Sequence, residues 1–207
     1  MARLASGKRI NSAADDPAGV AIASRLNSEI RGTSQAIRNA LDGQALIDTA
    51  EGGHKEVENI LQRMREIAVQ AANDTNSSQD RANLNEEMKA LSTEIDRIAA
   101  ATSWAGKNLM NEGSSQFSFQ VGTSTNAESA ITISIGSMSA TALSLDHTSI
   151  TVTSSENSQF AISAIDQAIT SVNSQRSMLG ATSNRLNYTV NNLTNVSTNL
   201  VLSLIHI

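Results

Sequence analysis

Residues 161–200 read AISAIDQAITSVNSQRSMLGATSNRLNYTVNNLTNVSTNL. An apolar side chain recurs here at every seventh position, at Ile165, Val172, Leu179, Leu186, Leu193 and Leu200. A companion position of the heptad holds Ile162, Ile169 and Val190, and it is interrupted by Arg176 and Ser183. A repeat of seven residues is typical of a helix that packs lengthwise against other helices. The stretch predicts a long C-terminal helix over 156–200, with Thr153-Ser-Ser-Glu156 as a capping box at its start.

A second long helix is predicted from Pro17 to about Asn73. Asp16 suits the N-cap position, and Pro17 suits the first helical position, where its missing N–H costs nothing. Apolar residues then recur at alternating spacings of three and four, with one single-residue slip between Ile47 and Val57. Two consecutive glycines, Gly52-Gly53, leave open the alternative of two shorter helices.

The turn-forming stretch 73–78 separates this helix from a shorter one. Ser77 is predicted to cap the second helix, with Asp80 in its first turn. Apolar residues step by four and three along it, and it is expected to end near Thr102. An antiparallel pairing with the first helix is the natural arrangement after so short a turn.

The periodicity changes to two between the second and the last helix. Apolar and polar residues alternate around Phe117, Phe119 and Val121, and again around Ile131, Ile133 and Ile135. Two such runs on either side of a polar loop predict a β-hairpin. A third run, Ile150 and Val152, is weaker evidence for another strand.

These elements predict a mainly α fold with a small β-hairpin. Its architecture is an elongated antiparallel helical bundle or coiled coil of long N- and C-terminal helices plus a shorter second helix. The chain divides into five parts. Residues 1–16 hold the end of a terminal helix and a loop, and 17–102 hold the N-terminal helices. A β-hairpin with a short variable region follows at 103–155, then the C-terminal helix at 156–200 and an atypical tail at 201–207.

Composition excludes several classes of protein. The chain has 207 residues, no cysteine and a net charge of −5, so neither a disulfide framework nor a thiolate metal site is possible. No basic patch indicates nucleic acid, and no apolar run is long enough for a membrane span. Only five aromatic residues are present, which favours a thin core between helices over a wide globular one.

No motif in the sequence indicates catalysis or a cofactor. Glu51, His54 and Glu58 have helical spacing that suits metal ligands, but no cysteine or histidine cluster supports them, and a solvated helix face is the favoured interpretation. Asp15-Asp16 is interpreted as capping, not as a catalytic pair. We therefore expect no enzyme, no metal site and no cofactor.

Five motifs in the same order resemble those of bacterial flagellins. They are LASGKRINSAADDPAG at 4–19, QRMREIAVQAAN at 62–73, EIDRI at 94–98, FQVG at 119–122, and LGATSNRL at 179–186 followed by NNL at 191–193. The resemblance implies a structural subunit of the flagellar filament, self-assembling for motility. It implies an extracellular location, reached through the flagellar type III apparatus. It also implies as partners further copies of the chain, an export chaperone and the filament cap.

Three other functions are alternatives to this one. A hook–filament junction protein shares the terminal helices with flagellins, but the motif at 62–73 and the absence of an extra central domain favour flagellin. A helical adaptor is disfavoured by the predicted hairpin and the segment 4–19. An enzyme built on a helical bundle would need inward-facing His and Glu residues that the sequence lacks.

The resemblance also implies two functional surfaces. The first is the spoke loop, residues 11–19, in which Asn11, Asp15, Asp16 and Pro17 are the candidate subunit contacts. From the residues alone, a plain helix start is the favoured interpretation of this loop. The second matches the surface of flagellins that Toll-like receptor 5 recognises, and its candidate residues are Gln62, Arg63, Ile67 and Glu87.

The ends of the chain depart from the family pattern. Flagellins have a further helix upstream of Leu4 and another downstream of Leu200, and residues 201–207, VLSLIHI, do not resemble that continuation. We therefore expect this chain to be a core fragment that stays monomeric in solution. The short region 136–155 predicts a flagellin with little outside its core.

Overall fold

The computed structural model describes residues 7, 9–111, 113, 115–146 and 149–206. Its helices are α1, Pro17–Ala72; α2, Ser78–Ala101; and α3, Ser155–His206. The predicted mainly helical fold with a small antiparallel sheet is confirmed. Helix α1 continues through Gly52-Gly53, so the alternative of two shorter helices is wrong. The predicted end of a terminal helix, at residues 1–5, lies outside the described residues.

Side chains at the helix starts fix where α1 and α2 begin. The Asp16 Oδ1 atom accepts a hydrogen bond from the Gly19 amide at 3.0 Å, as predicted for an N-cap. Ser77 and Asp80 form a complete capping box: the Asp80 amide donates to Ser77 Oγ at 3.2 Å, and the Ser77 amide donates to Asp80 Oδ2 at 3.0 Å. Both caps satisfy amides that have no partner within the helix.

The start of α3 differs from the prediction by one residue. Ser154 occupies the capping position, and its Oγ accepts from the Asn157 amide at 3.1 Å. The capping box predicted for Thr153 and Glu156 is therefore wrong, because the chain enters the helix one residue later. At its other end α3 continues without a break through 201–206, so the division made at Leu200 does not correspond to a helix end.

The β-structure comprises two small sheets in the described residues. Strand β1, Ser103–Trp104, pairs antiparallel with β2, Lys107–Asn108. Strand β3, Ser115–Gln120, pairs with β4, Ala130–Ile135, and these two strands are the predicted hairpin. The third strand predicted at Ile150 and Val152 does not form. Both side chains are buried, but the Val152 amide donates to Asn85 Oδ1 at 3.1 Å, so a side chain takes the place of a strand partner.

The chain is organised into two compact units. The first comprises residues up to Gln44, Ser118–Thr132 and residues from Ser183 onward. In it the end of β3 lies close to α1: the Asn39 Nδ2 atom donates to the Gln120 carbonyl at 2.8 Å. An added Cβ at Gly32 would be only 2.8 Å from Thr123 Cγ2, so a larger residue does not fit there without movement.

The second unit comprises Ala45–Phe117 and Ile133–Thr182. In it α1 pairs antiparallel with α3, because Arg65 bonds Asp166 while Glu58, earlier in α1, bonds Arg176, later in α3. The core of this unit consists of aliphatic and methionine side chains from all three helices and the connecting segments; its fully buried members include Leu61, Met64, Ile67, Met88, Ile95, Met110, Ile133, Leu145, Ile165 and Val172. The C-terminal heptad positions within this unit are thus core positions, as predicted.

Candidate functional site

The spoke loop is held in one conformation by its own acidic side chain. Asp15 Oδ2 accepts from the Asn11 amide at 3.2 Å, from the Ser12 amide at 3.0 Å and from the Ser12 hydroxyl at 3.2 Å. Such local bonds from an aspartate to nearby amides stabilise a tight turn. Asn11, Asp15 and Pro17 are nevertheless exposed, so the loop is both ordered and accessible.

Gly19 closes the spoke loop against the first turn of α1. A Cβ added at this position would be 2.5 Å from Ile10 Cδ1 and 2.6 Å from Asp16 Oδ2. Contacts this short are repulsive, so a larger residue at this position would require the ends of the Ile10 and Asp16 side chains to move. The four residues predicted as a subunit contact therefore lie on one short segment, in which Asp16 is partly shielded and the other three are exposed.

The predicted receptor surface is only partly formed by its four residues. Arg63 on α1 and Glu87 on α2 meet in an ion pair of 2.8 Å, and both remain exposed, as does Gln62. Ile67 is fully buried in the core of its unit. A side chain with no exposed area supports the helix pair from inside, so the surface itself is formed by Gln62, Arg63 and Glu87, and a role of Ile67 in recognition stays a prediction.

Hydrogen bonds to carboxylates keep the arginines on this surface protonated. The bond to Glu87, followed by the bond to Glu66, raises the pKa of Arg63 above its ordinary value. Nearby, the bond to Asp166 similarly raises the pKa of Arg65. Both guanidinium groups are solvated, and ion pairs in that setting orient side chains more than they stabilise a fold. The result is a surface with defined donor and acceptor positions.

His54 is buried, in contrast to the prediction from the sequence. We favoured a solvated helix face for this residue, and that is wrong: its exposed fraction is 0%. Neither imidazole nitrogen has a hydrogen-bond partner. Burial, followed by the nearby positive charge of Arg176, lowers the pKa of His54 to about 4, while Glu51 acts in the opposite direction. The histidine is therefore neutral at neutral pH.

Arg176 is a site residue whose partners sequence reasoning missed. Its guanidinium bonds the carboxylate of Glu58, and it also lies 3.4 Å from Glu51 Oε1. The signal was present in the sequence, since Arg176 interrupts an otherwise apolar heptad position. A charge at such a position needs a partner on the facing helix, and Glu51 and Glu58 lie on that face.

Two kinds of site are absent from the part of the chain that the structure describes. No group of three or more His, Asp or Glu side chains is placed to hold a metal ion, although Glu51, His54 and Glu58 share a helix face. Within the same residues, no helix has both the length and the apolar character needed to cross a lipid bilayer.

Comparison with known proteins matches nearly the whole chain to one family. The model of the bacterial flagellin N-terminal helical region matches residues 1–115, which is more than half of the chain. The model of the C-terminal helical region matches residues 162–207. The chain belongs to the bacterial flagellin family. It is a structural subunit of the flagellar filament. The C-terminal match includes 201–207, the segment that the sequence set apart as an atypical tail.

Individual flagellins match this chain over different fractions of their own length. The flagellin of Halalkalibacterium halodurans is 44% identical over 200 residues, which cover 97% of this chain and 73% of that protein. Polar flagellin F of Vibrio parahaemolyticus is 48% identical over 138 residues, which cover 67% of this chain and 36% of that protein. The matched part of this chain thus spans about a third of the longer Vibrio flagellin.

Solved structures of flagellar proteins share the fold. The crystal structure of Bacillus cereus flagellin matches with a TM-score of 0.62 at 27% identity, and the match covers 81% of this chain and 94% of that one. A putative flagellar hook-associated protein from Vibrio parahaemolyticus matches with a TM-score of 0.77 at 16% identity, covering 95% of this chain and 100% of that one. The second match shows a common fold only, so it does not favour the junction-protein alternative.

Proposed function

We propose that flagellin subunits of this sequence polymerise in the filament through the spoke loop. Contacts that join different surfaces of neighbouring copies propagate into a filament, whereas contacts between identical surfaces close into a dimer. The observation that supports the loop is its combination of order and exposure, with Asp15 accepting three hydrogen bonds within residues 11–15. An ordered loop loses little conformational entropy when a partner binds it.

The same proposal includes how the subunit reaches the filament. We infer export through the flagellar type III apparatus, with a chaperone before export and the filament cap at the growing end. The role is structural and needs no enzymatic activity from this chain. Family resemblance supports these partners, and the flagellin models that match residues 1–115 and 162–207 carry that resemblance.

Polymerisation of the protein encoded by the complete gene tests the spoke loop. Monomers are mixed with short filament seeds, salt is added, and filament length is measured by electron microscopy. Asp15→Ala removes all three acceptor bonds, so we expect a severalfold higher critical concentration for growth. Asp48→Ala, which removes an exposed aspartate further along α1, is the matched control and should polymerise normally.

The outcomes separate the proposal from its alternatives. Normal growth of Asp15→Ala would overturn the role of the spoke loop but leave the filament function intact. Wild-type protein that forms only short caps on the seeds would favour the hook–filament junction protein. Circular dichroism must show unchanged helix content in both variants, because α1 begins immediately after the loop.

A second function, recognition by Toll-like receptor 5, is supported by the exposed pair Arg63–Glu87. The two side chains are 2.8 Å apart and present a fixed donor and acceptor next to exposed Gln62. Arg63→Ala or Glu87→Ala should reduce the response of cells that express the receptor to soluble monomer. Arg65→Ala is the matched control, because Arg65 bonds Asp166 in place of Glu87. Equal responses from all three variants would exclude this surface.

A further inference from the structure

The polar cluster around His54 in the second unit has no part in polymerisation or in receptor recognition as proposed above. Glu51, His54 and Glu58 lie at i−3, i and i+4 on α1, so the three side chains share one helix face. Arg176 on α3 reaches both glutamates, one on each side of His54 along the helix. The guanidinium therefore contacts α1 both before and after the position of the buried imidazole.

Inside this cluster the imidazole has no hydrogen-bond partner of its own. His54 has no exposed area, and both Nδ1 and Nε2 lack a partner, as does Nε of Arg176. The segment after α2 places the Thr102 and Met110 side chains next to Gly53, the neighbour of His54 in the chain. The charged groups that act on the histidine are Arg176 from α3 and Glu51 from α1, and Glu58 from α1 bonds the same guanidinium.

We propose that His54 makes the packing of α1 against α3 in this unit sensitive to mild acid. The neutral imidazole fits between the helices as a largely apolar ring. A protonated imidazole would place a second buried cation beside Arg176, and it would compete with that guanidinium for the two glutamates. Either effect weakens the ion pairs that join the two helices.

The direction of the pH dependence follows from the pKa of His54 in the two states. In the unfolded chain the pKa is 6.5, the ordinary value, and in the folded chain it is lowered to about 4. The stability that depends on a neutral His54 is therefore complete above pH 6.5 and is lost as the pH falls towards 4. Between pH 7 and pH 5 this one residue should raise the unfolding constant about 20-fold.

Urea unfolding at pH 7 and pH 5 measures this effect before most carboxylates titrate. Trp104, the only tryptophan, belongs to the same unit and reports its unfolding by fluorescence. The wild-type chain should show the rise of about 20-fold between the two pH values. His54→Leu should lack it, and His206→Leu, at an exposed position near the end of α3, should retain it. An unchanged rise in His54→Leu would overturn the proposal.

A titration of the wild-type chain by NMR is independent of whether the variants fold. The imidazole resonances of His54 should stay at their neutral positions from pH 7.5 to pH 5, with a midpoint near 4 in the folded chain. A midpoint near the ordinary value of 6.5 would overturn the proposal, because folding would then not disfavour the protonated form. Neither measurement depends on polymerisation, so a failure of the proposed subunit contact would not affect the result.

Discussion

Two adjacent glycines in α1 occupy different surroundings. A Cβ added at Gly52 meets no atom within 4 Å, whereas one added at Gly53 would be 2.9 Å from Thr102 Oγ1 and 3.0 Å from Met110 Sδ. Both residues weaken the helix by leaving the unfolded backbone unusually free. Only at Gly53 does packing give a reason for glycine, because a larger residue would displace the segment that follows α2.

The pair predicts unequal effects of the same substitution on the free energy of unfolding. Gly52→Ala should raise the free energy of unfolding by about 0.5–1 kcal/mol, since it adds helix propensity without a clash. Gly53→Ala should gain less or lose stability, because two neighbours must move. Urea unfolding of both variants beside the wild type measures the difference. Equal stabilisation by both substitutions would show that the side chains around Gly53 move at little cost in free energy.

At the scale of the single element, α2 shows how one residue sets a helix start. The hydroxyl of Ser77 and the carboxylate of Asp80 bond each other and each other's amides. The bond from the Ser77 hydroxyl, followed by that from its amide, lowers the pKa of Asp80 below its ordinary 3.8. Capping of α2 should therefore be strongest when this carboxyl is ionised.

Ser77→Ala should destabilise the chain by about 1 kcal/mol, the usual effect of removing an N-cap hydroxyl. Because the pKa of Asp80 is lowered in the folded chain, the stability it contributes is present above pH 3.8 and is lost as the pH falls through its lower, folded value. The difference between variant and wild type should thus shrink in acid. Thermal unfolding followed by circular dichroism at pH 7 and at pH 3 checks both statements.

A partly buried ion pair joins α1 to α3 in addition to their apolar contacts. Arg176 and Glu58 retain 29% and 18% of their side-chain exposure, and Glu51 is a second, longer partner of the same guanidinium. Removing one partner leaves the other charge in a poorly solvated place, which is costly. Removing both with apolar residues of similar size avoids that cost.

A double-mutant cycle should reveal this asymmetry. Arg176→Met alone should destabilise the chain by roughly 2–3 kcal/mol, somewhat less than for a fully buried pair, because the site keeps some solvent contact. Adding Glu58→Leu to that variant should recover part of the loss. Unfolding free energies of the two single variants, the double variant and the wild type give the coupling energy. A double variant that simply sums the single losses would contradict the assigned pairing.

At the scale of the whole molecule, net charge opposes association between copies. The chain carries a charge of −5, so identical subunits repel one another at low ionic strength. Raising the salt concentration from about 0.01 M to about 0.15 M shortens the Debye length from about 30 Å to about 8 Å. Repulsion between exposed charges then acts over shorter distances than the subunit itself.

The critical concentration for filament growth should therefore fall as salt is raised through this range. Light scattering of seeded monomer at several concentrations of NaCl, with filaments counted by electron microscopy, measures it. Growth that weakens with added salt would instead indicate that attraction between opposite charges dominates the contact. The exposed carboxylate of Asp15 in the spoke loop would then be its first candidate.

Local signals in the sequence predicted most of the secondary structure correctly. Asp16-Pro17 and Ser77 mark helix starts through bonds that involve only a few consecutive residues, so neighbouring sequence is enough to predict them. The alternation of period two located β3 and β4 for the same reason. The short β1–β2 turn escaped prediction because Ala105 adopts a positive φ of 48°, a conformation that its residue type does not favour.

The tertiary structure shows how completely individual side chains are covered and which distant residues they meet. His54 has no exposed area, a property that its helical spacing from Glu51 and Glu58 could not show. The same holds for Arg176, whose partners are more than one hundred positions away in the chain. Helix start and strand period are local properties of the backbone, so the sequence by itself determined them. Burial and ion pairing depend on which distant segment packs opposite, so only the folded chain decides them.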